Sequence, residues 1–164
     1  MRFRLTIGLL AVTAAWILSA AEGAASAQAS MTCTWGGTPV APTGTTTNRP
    51  GLTNLPSAEP SRFYATGDLA GDPGCTGKLT FIGEMAAGST CAAITFEANA
   101  IGLPGVTRVA GVSAFGFAPA RLYDKEGNVV GSENAQFFNN APFDACNTPE
   151  GFTEGSFTSV IELF

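Results

Sequence analysis

"GCTGKLTFIGEMAAGSTCAAITFEANAIG", residues 74–102, is the stretch on which the fold turns. Pairing Lys78 with Glu97 sets Leu79 opposite Phe96 and Phe81 opposite Ile94, with Thr80 facing Thr95 between them. Bulky apolar pairs then alternate with polar pairs. That period of two is the pattern of an antiparallel hairpin with one buried face.

Outward from this hairpin, the same reading gives strands over 62–66, 106–114, 117–123, 128–138 and 157–164, with glycine and proline in every gap. No stretch carries a sustained helical period with caps, and no internal repeat is present. Many short, evenly spaced strands predict an all-β domain: an antiparallel β-sandwich of immunoglobulin-like type, or a small barrel.

The chain opens with Arg2 and Arg4, continues through an apolar run from Leu5 to Ala21, and then turns to small residues in "AEGAASAQAS". This is the layout of a cleaved secretory signal, residues 1–27, with cleavage after Ala27 or Ala29. After cleavage no transmembrane helix is expected. Residues 28–61 form an N-terminal strand and a Pro/Thr-rich extended segment, in which 36–61 hold five of the ten prolines. Cys33 precedes that segment, so a disulfide would tie it at both ends and lay it along an edge or across the domain. Residues 62–164 form the antiparallel β domain.

Removing Arg2, Arg4 and Glu22 with the signal leaves 8 − 2 = 6 basic and 13 − 1 = 12 acidic residues, a net charge of −6. Such a chain is a poor electrostatic match for nucleic acid.

All four cysteines, Cys33, Cys75, Cys91 and Cys146, lie in the exported part, and an even count there predicts two disulfides. A metal site is disfavoured, because the chain has no C-x-x-C pair and no histidine. Cys75 precedes the first strand of the hairpin and Cys91 lies beyond its turn, too far apart to bond. Two arrangements remain: Cys33–Cys75 with Cys91–Cys146, which is preferred, or Cys33–Cys91 with Cys75–Cys146.

"LYDKEGNVVGSEN", 122–134, spaces Asp124, Glu126 and Asn128 like calcium ligands. A calcium loop counted from Asp124 needs glycine sixth and glutamate twelfth, where Val129 and Ala135 stand. The same residues suit a tight turn, with Asp124 capping it and Gly127 left-handed in a closing bulge.

Without histidine there is no triad chemistry, and disulfide-bonded cysteines are no nucleophiles. Glu84 and Glu97 are the acids that would be needed for glycoside hydrolysis, but the register above separates them and gives Glu97 to Lys78. No phosphate-binding glycine motif occurs. No catalytic residue, cofactor or metal is assigned.

The phenylalanines of "FGFAPARLY" and "AQFFNNAPFD" suit either core filling or an apolar groove. In "GSFTSVIELF", Leu163, Ile161 and Phe157 share one apolar face, while Glu162 on the other argues against a lipid-facing strand.

The segments "GLPGV", "LYDKEGNVVGSENA" and "CNTPEGFTEGSFTSVIELF" resemble parts of small secreted proteins of GC-rich Gram-positive bacteria with no established function. The resemblance covers about the last two-thirds of the exported chain and implies export and an all-β domain; it transfers no functional residue. The expected function is a secreted, non-catalytic binding or structural module of the extracellular space or cell envelope, its partner an extracellular or cell-wall ligand. Arg121, Asp124 and Asn134 are the polar candidates for surface contact. The alternatives are a hydrolase inhibitor acting through "GLPGV" or the Pro-rich segment, a carboxylate glycosidase, and a lipid carrier with an apolar cavity.

Overall fold

The computed structural model describes residues 30–138 and 142–164, so the expected signal lies outside the described residues. The elements in order are β1 (Met31–Trp35), β2 (Gly37–Thr38), β3 (Ala41–Pro42), β4 (Gly44–Leu52), β5 (Ser61–Gly71), β6 (Lys78–Met85), β7 (Ala93–Ile101), β8 (Arg108–Ala114), β9 (Phe117–Tyr123), β10 (Val129–Phe138), the single turn α1 (Pro142–Ala145) and β11 (Phe152–Leu163).

From β4 to β11 each strand pairs antiparallel with the next, and β11 pairs back onto β4, which closes an eight-stranded barrel. The sheet therefore curls upon itself, and the chain takes the barrel form instead of a two-layer sandwich. The Pro/Thr-rich segment is also more than an edge: its β4 stands between β5 and β11 as a barrel strand.

β1 occupies the same gap farther along. It pairs with Ser159–Leu163 of β11 and with Leu69–Gly71 of β5, while β4 takes the earlier part of β11 and Arg62–Thr66 of β5. Two short segments thus share one position in the barrel, which only the long β5 and β11 can flank.

Between them the chain leaves the wall at Gly36 and Gly37, both at positive φ, forms the small β2–β3 ribbon, and re-enters at Gly44. The carbonyl of Gly36 accepts hydrogen bonds from the amides of both Thr43 and Gly44.

The hairpin of 74–102 forms, but in another register: Glu84 pairs with Glu97 and Phe81 with Ala100. The slip from the expected pairing is six residues, an even number, so every side chain keeps its face. Leu79, Phe81, Ile94 and Phe96 still point inward; the slip is absorbed by a longer turn, Ala86–Ala92, anchored by Cys91.

The disulfides are Cys33–Cys75 and Cys91–Cys146, the preferred arrangement. They sit at opposite ends of the barrel. At the Cys33–Cys75 end, Leu69, Leu79, Leu103, Val106, Val109, Leu122 and Ile161 are buried and fill the interior. Leu103 and Val106 belong to "GLPGV", whose apolar residues are tucked inward.

Trp35 lies above this plug. Its ring centroid is 4.5 Å from that of Phe81 and 4.4 Å from that of Phe157, and its Nε1 donates to the carbonyls of Gly67 (3.1 Å) and Leu79 (3.0 Å).

Gly67 must be bare for this to happen: a Cβ there would stand 2.9 Å from Gly36 Cα and 3.1 Å from Trp35 Nε1. Gly67→Ala is therefore expected to destabilise the fold by about 2 kcal/mol. A shift in urea midpoint measures it, and a neutral result would mean that the approach is looser than described.

Candidate functional site

The barrel is plugged at one end and hollow at the other. Its inward residues explain why. On β8, β9 and β10 the wall is built from Gly111, Ala118, Ala120, Gly131 and Ala135, while the facing wall carries Phe63, Phe81, Phe96 and Phe157. Small residues opposite large rings leave space between them.

An inner chamber of about 50 Å³ lies among Trp35, Phe63, Phe81, Phe96, Phe137, Phe157 and the alanines 65, 118 and 135. An outer chamber of about 140 Å³ is lined by Asn48, Leu52, Phe115, Phe152 and the cysteines 91 and 146. Thr46, Met85, Ile94, Ser113 and Phe137 border both, so the two are adjacent. For scale, an apolar cavity of about 150 Å³ admits a benzene ring.

The Cys91–Cys146 disulfide holds the loops around the mouth. Backbone bonds from Cys91 N to Thr53 O, Asn54 N to Cys146 O and Gly88 N to Ser57 O join three loops there, and Asn54 Nδ2 donates to Asn147 Oδ1 at 2.7 Å.

Besides the hydroxyl residues Thr46 and Ser113, an acid and an amide border this space. Glu133, 3% exposed, points inward from β10, between Ala120 of β9 and Ile161 of β11. Its Oε1 accepts a hydrogen bond from Ser159 Oγ at 3.0 Å. Burial pushes its carboxyl up to about 8, against a smaller downward pull from that hydrogen bond. At neutral pH it is thus mainly a neutral acid, a donor as well as an acceptor.

Asn48, 1% exposed, lines the outer chamber from β4. Its Nδ2 donates to the carbonyl of Phe152 at 3.3 Å, where β11 is bulged against β4. That bond orients the amide and leaves Oδ1 buried with no donor among the described residues.

On the rim, Phe115 and Gly116 form the two-residue turn between β8 and β9, both with positive φ, 51° and 87°. A turn of that hand favours Asn or Gly, and phenylalanine there is strained. Phe115 is nevertheless 72% exposed and borders the outer chamber.

The residues singled out from sequence lie elsewhere. Arg121 and Asn134 are exposed on the outer face of adjacent strands, as diagonal neighbours. Asp124 is at the plugged end, in the expected turn: Gly127 has φ 88°, and the Asp124 carboxylate accepts from Asn128 N (2.8 Å) and Asn128 Nδ2 (2.9 Å). Those bonds, led by the side-chain amide, hold its carboxyl below the usual range. The three do not converge.

Glu84 and Glu97 are not separated along the strands: they stand directly opposite each other on the convex outer face. Glu97 is bound to Arg108 at 3.0 Å, not to Lys78, and Glu84 to Arg62 at 3.5 Å; Lys78 pairs with Asp68. Those two acids border shallow, open depressions of the outer face and neither lines the interior chambers.

Of the phenylalanines, Phe137 lines the cavity and Phe115 and Phe117 are exposed. Glu133 had a readable signal: it falls in the row Gly131, Glu133, Ala135, Phe137, an acid on the otherwise apolar face of its strand. Asn48, in a Thr-rich polar segment, had none.

Among the described residues no helix is long and apolar enough to cross a membrane. Comparison with protein-family models, with curated proteins and with solved structures returns no match to this chain.

Two outcomes are expected. Glu133 binds its proton more tightly folded, at about 8, than unfolded, near 4.5, so its stabilising contribution is full below about pH 4.5 and is lost as pH rises through about 8. The slope should approach about 1.4 kcal/mol per pH unit between those limits and flatten in Glu133→Gln, as read from urea midpoints at several pH values. Parallel profiles for the two proteins would contradict the burial described. On the rim, Phe115→Asn should stabilise the fold by about 1 kcal/mol in the same assay, since asparagine tolerates the left-handed conformation.

Proposed function

We propose that this chain is an exported binding module that holds one small, mainly apolar molecule inside its barrel. The observation that carries this reading is the hollow half of the barrel, where aromatic rings face small residues around a single ionisable group. Eight-stranded barrels have an interior wide enough for one small ligand, and apolar pockets with a few placed polar groups are the common form of small-molecule sites.

Export is supported by the layout of residues 1–27 and by the two disulfides, which are compatible with an oxidising extracellular environment. The cavity suits a molecule of one or two rings better than a polysaccharide of the cell wall. Binding without turnover is favoured because the chain has no histidine and neither Glu84 nor Glu97 faces the cavity.

The inhibitor reading has less to rest on, since "GLPGV" commits Leu103 and Val106 to the barrel plug and the Pro-rich segment supplies a barrel strand.

A titration with the neutral two-ring fluorophore 1-naphthylamine tests the proposal. One saturable site is expected in the disulfide-bonded protein, and Ala135→Phe, which fills the inner chamber, should abolish it while the near-ultraviolet circular dichroism retains its folded form. No saturable binding, or equal binding by the filled variant, would overturn it.

A further inference from the structure

Resting on the binding reading above, we infer that the cavity takes a neutral amphipathic ligand, an alcohol of one or two rings, in one orientation. Its apolar end enters the inner chamber, and its hydroxyl stops at Thr46 and Ser113, where the two chambers adjoin.

Thr46 is 3% exposed and Ser113 7%, and each borders both chambers. They belong to inward rows: Gly44, Thr46 and Asn48 on β4, and Val109, Gly111 and Ser113 on β8. Four steps separate β4 from β8 in either direction around the closed barrel, so the two residues face the interior from opposite walls.

Neither side-chain hydroxyl is bonded to a group among the described residues. The polar side-chain atoms that are both unbonded and sealed from their surroundings are Asn48 Oδ1 and Ser57 Oγ. Thr46 Oγ1 and Ser113 Oγ are not among these. They are unbonded but open to the space their residues line, which makes them the points where a ligand finds a polar partner.

Deeper in, the wall offers none. Past the two hydroxyls the inner chamber is lined by aromatic rings, Met85, Ile94 and alanines, and Glu133 is bonded to Ser159. A polar group driven that far would give up water and gain nothing, so it stays at the level of Thr46 and Ser113.

An alcohol is the matching head. Each of the two hydroxyls both donates and accepts, and so does a ligand hydroxyl, so either wall serves it. Water entering the outer chamber serves the same oxygens in the free barrel. A hydrocarbon displaces that water and leaves them unmet, which is how such sites discriminate.

An anionic amphiphile is the rival. Glu133 is the one ionisable side chain among the described residues bordering either chamber, so no cation there receives a carboxylate. Such a head would remain in water outside the mouth, and Thr46 and Ser113 would be immaterial to it.

The test is calorimetric titration of the disulfide-bonded protein with naphthalene, 1-naphthalenemethanol and sodium 1-naphthoate. It is run at about pH 6, where Glu133 keeps its proton and the naphthoate is ionised. The alcohol should bind roughly 5-fold more tightly than naphthalene, and the naphthoate more weakly than either. In the double variant Thr46→Val with Ser113→Ala the alcohol should lose its advantage, while naphthalene binds at least as tightly as before and so reports a folded barrel. Thr46→Ser, which keeps a hydroxyl, should keep the preference. Should the paired changes unfold the barrel, the single variants Thr46→Val and Ser113→Ala decide, each lowering the preference roughly 2-fold.

If none of the three compounds binds, the binding reading falls together with the inference. If naphthalene binds and the alcohol gains nothing, or keeps its advantage in the variants that lack a hydroxyl, the inference alone is overturned. A naphthoate that binds as tightly as the alcohol overturns it in favour of a charged head in the solvent at the mouth.

Discussion

The indole N–H of Trp35, shared between the carbonyls of Gly67 and Leu79, is the contact on which the rest of the barrel depends. It locks the end of β1 against two strands of the sheet. The ring then packs tilted against Phe81 and edge-on against Phe157, and forms the boundary between a packed end and a hollow one. A large indole finds room there because Gly67 has no side chain to obstruct it. Burying its polar tip without those two acceptors would cost as much as an unmade hydrogen bond.

Closure follows from the same junction. Because β1 ends at Trp35 and β4 begins at Gly44, two segments fill one gap between β5 and β11, and the barrel is sealed along both halves of its height. The disulfides then act at the two ends. Cys33–Cys75 ties the shared position to the plug, and Cys91–Cys146 ties the loops around the mouth. The closed row of strands β4 to β11 leaves the barrel wall without an open edge among the described residues. Outward positions carry ion pairs such as Arg62–Glu84 and Arg108–Glu97, with Arg108 also 3.9 Å over the Tyr123 ring; these keep the exterior polar and add little stability.

The site is a consequence of how the interior is divided. Aliphatic side chains fill the plugged end, while the other end sets aromatic rings against alanine and glycine. Behind its lining the fold buries an acid bonded to Ser159 and an amide whose oxygen has no donor among the described residues. Burial holds the proton on that carboxyl at neutral pH.

By itself the sequence determined the strands, the Asp124 turn, the inward faces and the even number of cysteines, because alternation and turn chemistry are local. Leu79, Phe81, Ile94 and Phe96 face inward in the predicted register and in the true one alike, since a slip of six residues preserves parity. Tertiary structure alone decided the register, the choice of a barrel over a sandwich, and the promotion of the Pro/Thr-rich segment to a barrel strand. Those depend on which distant strands find each other: β11 must meet β4 and β1, more than a hundred residues earlier in the chain, and no local pattern encodes that meeting. The same holds for the site. Glu133 was legible as an acid on an apolar face, but Asn48 gains its place only from the bulge of β11 at Phe152, whose carbonyl takes the amide's N–H when the barrel closes beside a cavity that no single segment contains.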